Sequence, residues 1–274
     1  MSFHLPADRP ALMGILNVTP DSFSDGGLYA DTLQAVERAR TMMAEGADLI
    51  DVGGESTRPG SEPVSVAEEL RRVMPVVELL CAEGVPVSID TSKPEVARQA
   101  VASGVAVVND VTGFRDKAMI EACLGSNCAL CIMHMKGTPR TMQHQAAYDD
   151  VVKEVLEELS NQIESCEELG IAASRIWIDP GIGFGKTTSH NLELLKNLER
   201  FVQTDYPVLV GVSRKAFIGR LLGSEDWPLP VDDRLEGTLA AQVVAQMKGA
   251  KIIRAHDVRQ ARRAISMTSA ILDA

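Results

Sequence analysis

One short formula recurs along the chain: a glycine, an apolar run rich in β-branched residues, then one polar residue. Gly46-Ala-Asp-Leu-Ile-Asp51, Gly104-Val-Ala-Val-Val-Asn109 and Gly249-Ala-Lys-Ile-Ile-Arg254 share one length, and Gly84-Val-Pro-Val-Ser-Ile-Asp90 is one residue longer. The glycine suits the left-handed position that stops a helix, and the apolar run suits a strand covered on both faces. Four more runs, at 12–17, 129–134, 175–179 and 208–213, read as strands, which makes eight. Helical signals fill the gaps. Asp31-x-x-Gln34, Ser65-x-x-Glu68, Ser92-x-x-Glu95, Asp233-x-x-Glu236 and Asp257-x-x-Gln260 have capping-box spacing. Val152, Val155, Leu156, Leu159, Ile163 and Cys166 recur at three and four, one buried helical stripe. Pro75 is expected to kink the second helix.

Strands that alternate with helices form a parallel sheet, and eight such units favour closure into a ring. The fold class predicted is α/β, a single (β/α)8 TIM barrel, with residues 1–274 as one domain. The length of 274 residues agrees with the ~250 typical of such barrels. An open doubly wound sheet is the alternative, but the first strand turn lacks G-x-G-x-x-G.

Closure has a chemical consequence. The carboxyl ends of all eight strands meet at one rim, where the active sites of barrels lie. The predicted strand ends bring Asn17, Asp51, Asp90, Asn109, Asp179, Lys215 and Arg254, with His256 just beyond, around one mouth. Taken singly, an Asp or Asn at such a place is more often a turn former or helix cap. Taken together they form a set: Arg254 and His256 can donate to phosphate oxygens, and Arg can do so bidentately. Lys215 opens a short helix after strand seven, a recurrent phosphate site in barrels. The carboxylates and amides suit a flat heterocycle, because one Asp can accept two parallel hydrogen bonds from an N–H and an exocyclic amine. Loops 18–30 and 53–64, rich in Gly, Ser, Thr, Pro and Asp, are long enough to act as lids.

Other patterns are weaker. Asp179-Pro-Gly-Ile-Gly-Phe-Gly-Lys186 ends like a phosphate-binding loop, but Pro180 stands where that motif needs glycine. Cys123, Cys128 and Cys131 have iron–sulfur spacing, with Cys166 as a conceivable fourth ligand, yet burial in strand and helix explains them more simply. His4, His144 and His190 show no zinc-ligand spacing. His134 ends a strand and is as well explained by structure as by function. Ser213 lacks a G-x-S-x-G frame. The net charge of -11 argues against nucleic acid and anionic membranes as main partners. No run approaches the ~18 apolar residues of a membrane span, and residues 1–10 lack a signal-peptide core. Five cysteines, an odd number, fit free thiols, so a cytoplasmic location is expected.

Residues 13–27, Met-Gly-Ile-Leu-Asn-Val-Thr-Pro-Asp-Ser-Phe-Ser-Asp-Gly-Gly, and 51–59, Asp-Val-Gly-Gly-Glu-Ser-Thr-Arg-Pro, resemble the two signatures of dihydropteroate synthases. Asp90-Thr-Ser-Lys-Pro94, Asn109-Asp110, Met133-His-Met135, the 179–186 run, Gly211-Val-Ser-Arg-Lys215 and Arg254-Ala-His256 are similar to later family motifs, in order, to the C-terminus. The resemblance implies a transferase of folate biosynthesis, joining a dihydropterin diphosphate to 4-aminobenzoate with release of pyrophosphate. It implies that Asp90, Asn109, Asp179 and Lys215 bind the pterin, with Asp51 in the same substrate-binding set. It implies that Arg254, His256 and Asn17 hold the diphosphate, with Asn17 also touching Mg2+, the expected cofactor. Phe23, Thr57 and Arg58 would close over the site; Pro59, Phe184 and Lys215 would shape an aminobenzoate pocket that accepts sulfonamides in this family. Catalytic roles fall to Asp90, Lys215, Arg254 and His256, and a homodimer is implied. Ala216 departs from the family, where many members carry Ser after the lysine. Three rivals are a methyltetrahydrofolate–corrinoid methyltransferase, a Lys215 Schiff-base aldolase and a non-catalytic pterin-binding barrel. The first leaves Arg254, His256 and Lys215 unexplained.

Overall fold

The structure is a computed structural model that describes residues 3–19, 27–56, 62–138, 141–142 and 146–274. Among the described residues the strands are β1 (Ala11–Asn17), β2 (Leu49–Gly53), β3 (Val87–Asp90), β4 (Val107–Asp110), β5 (Ala129–Met133), β6 (Ile176–Asp179), β7 (Leu209–Val210) and β8 (Ile252–Ala255). Helices α1 (Gly27–Ala44), α2 (Val66–Ala82), α3 (Pro94–Ala102), α4 (Lys117–Cys123) and α5 (Val151–Glu168) cover the first half. The second half carries α6 (Thr188–Lys196), α7 (Glu199–Val202), α8 (Ala216–Leu222), α9 (Leu235–Met247) and α10 (Val258–Leu272). All strand pairs are parallel, in the order β6-β5-β4-β3-β2-β1-β8-β7, and a parallel bridge from Ile178 to Val208 joins the two ends. The chain is therefore the (β/α)8 barrel that its repeated formula predicts.

Strand periodicity decides what faces the barrel axis. Leu49, Val107, Cys131, Trp177, Leu209 and Ile252 pack with Ala11 and Met13 in an inner cluster. Their neighbours Ile50, Val108, Leu130, Ile178, Val210 and Ile253 face the helices in the larger outer core. Side chains two residues apart share a face. The residue two past each of these six strand positions is thus inner too, one layer higher: Asp51, Asn109, Met133, Asp179, Gly211 and Arg254. On β3 the same rule sets Ser88 and Asp90 inward, since Val87 and Ile89 lie in the outer core. The opposite end is plugged, with Phe3 edge-on to Trp177 at 6.1 Å between centroids.

Local starts and stops differ in detail from the capping-box spacing. Ser65 caps α2 by accepting from the Glu68 N–H, and the helix continues through Pro75. Three other predicted caps are displaced. Asp31 lies inside α1 rather than before it. Lys93, not Ser92, precedes α3, because Pro94 with its fixed φ takes the first helical position. Arg234, not Asp233, precedes α9, since Asp233 closes a 3-10 turn. Asp257 does precede α10, but its carboxylate receives Arg214 instead of capping. The stripe on α5 is buried as expected, Leu156 only partly. Among the described residues no helix is long and apolar enough to cross a membrane.

Candidate active site

The mouth at the carboxyl ends of the strands holds one connected set of polar side chains. Arg254 donates through Nε to Asp51 Oδ2 at 2.6 Å and through Nη2 to Asp90 Oδ2 at 2.7 Å. Asn109 Nδ2 donates to the same Asp51 oxygen at 3.1 Å. Four strands, β2, β3, β4 and β8, are tied by these three contacts across sequence separations of up to 203 residues. Asp51 is fully buried, and among the described residues its Oδ1 has no hydrogen-bond partner. A buried, unsatisfied carboxylate oxygen is costly, and one at a binding site marks room for a ligand donor. Gly53 and Gly211 bring no side chain to this layer; a Cβ at Gly53 would stand 3.5 Å from the Asp90 Cβ.

Asp179 sits across the mouth at the end of β6, accepting the Gly181 N–H at 2.7 Å. Lys215 precedes α8 and lays its ammonium 3.8 Å over the Phe184 ring centroid, a cation–π contact. Phe184 belongs to a small apolar cluster with Val111, Met133, Met135 and Met142, so one wall is apolar and the opposite one ionic. Ser213, which precedes Arg214 in its left-handed backbone (φ 59°), accepts the His256 N–H at 3.1 Å and lies 3.0 Å from His256 Nδ1. With the serine hydrogen on Nδ1, the imidazole carries its own hydrogen on Nε2, a donor for an anion. Next to this contact, Arg214 forks onto Asp257 at 3.0 and 2.6 Å, which fixes the β7 and β8 loops together.

Burial shifts the charges. Desolvation pushes the Asp90 carboxyl up to about 7, with Arg254 opposing the shift and Asp51 adding to it. Asp179 rises for the same first cause, against the Gly181 hydrogen bond and the Lys215 charge. Lys215 falls to about 8 through burial and the like charge of Arg254, which outweigh Asp179 and Asp90. Burial works against the Arg254 charge, but Asp51 and Asp90 more than offset it, so the guanidinium stays protonated. His256 drops to about 3, by burial first and then by Arg254 and Arg214, so it is neutral at pH 7. Such opposed shifts in one cleft are characteristic of sites that bind and move charge.

The structure brings Asp51, Asp90, Asn109 and Arg254 into direct contact, and Phe184 with Lys215; Asp179 and His256 sit on the same rim. Asn17 ends β1 at the rim and is exposed. Phe23, Thr57, Arg58 and Pro59, on the two loops expected to act as lids, lie outside the described residues, as does His144. Three site-proximal groups, Ser213, His134 and Lys186, were assigned no role from the sequence. Ser213 could have been found by the strand-end rule that found its neighbours. The same rule placed His134 at a strand end, but its contact with Lys186 was not legible, because it joins positions 52 residues apart. The cysteines are buried, as expected: Cys131 faces the barrel axis, whereas Cys123, Cys128 and Cys166 lie in the outer core. Among the described residues no set of three His, Cys, Asp or Glu side chains could hold a metal.

The sequence and its fold are shared with known proteins. The family described as pterin binding enzyme matches residues 13–256. The dihydropteroate synthase of Escherichia coli K12 is 47% identical over 98% of this chain and 94% of its own length. The chain belongs to the dihydropteroate synthase family. Its activity class is accordingly that of a transferase of alkyl groups. Solved structures agree: that of the Yersinia pestis dihydropteroate synthase with a sulfonamide drug complex is 42% identical, covers all of both chains and superposes with a TM-score of 0.91. The dihydropteroate synthase from Xanthomonas albilineans in complex with 7,8-dihydropteroate is 42% identical over 98% of this chain and 96% of that one, with a TM-score of 0.87.

Proposed function

We propose that the barrel mouth condenses (7,8-dihydropterin-6-yl)methyl diphosphate with 4-aminobenzoate, giving 7,8-dihydropteroate and pyrophosphate for folate biosynthesis. The observation that carries this reading is the Arg254–Asp51–Asp90–Asn109 network facing Asp179, Lys215 and His256 across one mouth. A corrinoid methyltransferase site would have no leaving diphosphate to use the cationic side of this set. The Xanthomonas albilineans protein was solved with 7,8-dihydropteroate, the molecule proposed here as the product.

In this reading Asp179 and Asn109 receive and supply the hydrogen bonds of the pterin edge, and Asp51 Oδ1 accepts a ring donor. Lys215 donates to a pterin acceptor while its stem rests on Phe184. Arg254 and the Nε2 hydrogen of His256 face the diphosphate. As the C–O bond to diphosphate lengthens, positive charge spreads into the electron-rich pterin, where the Asp90 carboxylate stabilises it. Negative charge grows on the leaving oxygens, where the His256 Nε2 hydrogen and the Arg254 donors not spent on Asp51 and Asp90 would stabilise it. The arylamine then attacks the methylene carbon; it is neutral at pH 7 and needs orientation more than a strong base. Phe184, Pro59 and Lys215 would hold its ring, and Phe23, Thr57 and Arg58 would close above it. The Yersinia pestis protein was solved with a sulfonamide drug complex, which supports reading this chain as a sulfonamide target, with the aminobenzoate pocket as the proposed place of binding.

Mg2+ is the proposed metal, which the Asn17 amide oxygen would hold together with the substrate diphosphate. A donor set with no protein carboxylate cage fits Mg2+, which commonly binds through one or two protein groups plus substrate phosphates. When bound it would neutralise charge on the leaving diphosphate. A cytoplasmic homodimer is also proposed; α9 and α10 expose Val244, Met247, Met267 and Ile271, an apolar surface suited to a second copy. The activity is tested by mixing protein, Mg2+, dihydropterin diphosphate and 4-aminobenzoate and following both products. Pyrophosphate and dihydropteroate should appear in equal amounts. Pyrophosphate alone would make the chain a hydrolase and refute the reading.

A further inference from the structure

Lys186 is a lysine that the proposed reaction does not use, yet it is among the most buried side chains of the protein, 1% exposed. Lysine is almost never buried without a partner. Among the described residues no carboxylate lies within ion-pair distance of its ammonium. Its contacts are His134 Nδ1 at 2.9 Å, the Phe184 carbonyl at 3.0 Å and the His134 carbonyl at 3.4 Å. Three donors thus meet three acceptors on two segments, the end of β5 and the glycine loop after β6. His134 is itself buried, and burial holds it down at about 4, so it stays a neutral acceptor. Its Nε2 lies 3.3 Å from Glu158 Oε2 on α5, near enough for attraction though misaligned for a hydrogen bond.

The loop that Lys186 grips is held elsewhere by single hydrogen bonds, from the Gly181 N–H to Asp179, the Gly183 N–H to Asn191, the Phe184 N–H to the Gly181 carbonyl and the Tyr148 hydroxyl to the Gly185 carbonyl, whereas Lys186 alone brings three donors to it and to the end of β5. Gly181, Gly183 and Gly185 all have positive φ, at 69°, 88° and 62°, so the backbone itself imposes few limits. It lies directly on the strand end below. A Cβ at Gly181 would meet the His134 carbonyl at 1.8 Å, and one at Gly185 would meet the Lys136 carbonyl at 2.9 Å. Such close backbone approach puts carbonyl dipoles of both segments together, and the Lys186 ammonium sits among them. Its grip on the Phe184 carbonyl sets the height of the Phe184 ring, and Lys215 rests 3.8 Å above that ring.

We propose that Lys186, oriented by His134, is a positioning residue for the aminobenzoate half-site: it anchors the glycine loop so that Phe184 and Lys215 present one fixed wall to the incoming arylamine. This rests on the reading above that Phe184 lines the aminobenzoate pocket. Burial lowers Lys186 to about 7 despite the nearby Asp179 charge, so the anchor carries a full charge only part of the time at neutral pH. The alternative is that Lys186 serves as a counter-charge for Asp179 and acts on pterin binding.

Three variants separate these. Lys186→Met removes the ammonium and keeps the stem. His134→Leu removes the side-chain acceptor. His134→Asn places an amide oxygen near the Nδ1 position and should restore the grip. The account predicts that K186M and H134L raise KM for 4-aminobenzoate about tenfold, a loss of roughly 1.4 kcal/mol, at saturating dihydropterin diphosphate. The Kd of dihydropterin diphosphate alone, measured calorimetrically with Mg2+, should change by less than about twofold, and H134N should stay within about threefold of the parent in both. If K186M does not fold, H134L against H134N carries the same comparison. A weakened dihydropterin Kd with an unchanged aminobenzoate KM would overturn the proposal in favour of the counter-charge. Phe184→Leu is the control. If F184L raises the aminobenzoate KM and neither K186M nor H134L does, the pocket assignment stands and the anchoring role is refuted. If F184L leaves that KM unchanged, the pocket assignment fails, and the proposal with it.

Discussion

Replacing Asp90 by Asn should stabilise the protein at alkaline pH while impairing its reaction. Asp90 is an isosteric target: the amide keeps an oxygen for Arg254 Nη2, at 2.7 Å in the parent, and removes the ionisable group. In the folded protein its carboxyl is raised from 3.8 to about 7, chiefly by burial. Between those two values the folded state keeps a proton that the unfolded chain has lost. The favourable contribution is therefore complete below pH 4 and disappears as pH rises through 7. From pH 5 upward about two units of the shift remain, which at ~1.36 kcal/mol each amounts to roughly 2–3 kcal/mol lost by the parent and not by D90N. The assay is urea unfolding of both proteins at pH 5 and pH 8.5, without ligands. The difference in stability, D90N minus parent, should grow by about 2–3 kcal/mol between the two pH values, or roughly 5–10 °C in melting temperature. Other titrating groups are common to both proteins and largely cancel. A difference independent of pH, or one of opposite sign, would refute the reasoning about this carboxyl. Turnover of D90N should fall, because the neutral amide cannot stabilise a positive pterin.

Three further outcomes follow from the same geometry. Arg254→Met should lower turnover by about 10²–10³, as expected for loss of a leaving-group donor, and should destabilise the fold by about 3–5 kcal/mol because Asp51 and Asp90 are left buried without their partner. Near-normal turnover would remove Arg254 from the mechanism. Ser213→Ala frees the His256 ring and should weaken inhibition by pyrophosphate, measured in steady-state kinetics, about tenfold with little effect on KM for 4-aminobenzoate. Gly181→Ala should abolish soluble expression or activity, since its Cβ would overlap the His134 carbonyl at a backbone φ of 69°; a fully active G181A would contradict the described loop.

Much of the rim could be read from the sequence because barrel strands obey period two. Leu49-Ile50-Asp51 and Ile252-Ile253-Arg254 each place an apolar residue in the inner cluster and a polar one a layer above it. Knowing the strand end is then enough to know which way the side chain points. Helix starts were less legible, since a one-residue shift such as Ser92 to Lys93 depends on Pro94 and not on cap chemistry. Contacts between loops were not legible at all. Lys186 and His134 meet only because the glycine loop folds back on β5, and Arg214 takes Asp257 away from its predicted cap. Spacing alone also misleads: Cys128 and Cys131, three apart, face opposite sides of one strand wall.

The central claim is that one mouth holds the pterin on its acids and amides and the diphosphate on its cations. A crystal structure with a non-hydrolysable dihydropterin diphosphate analogue and Mg2+ tests this most directly. The account predicts the ring among Asp51, Asp90, Asn109 and Asp179, with the phosphates against Arg254, His256 and Asn17. A ring bound elsewhere, or phosphates distant from Arg254 and His256, would contradict it.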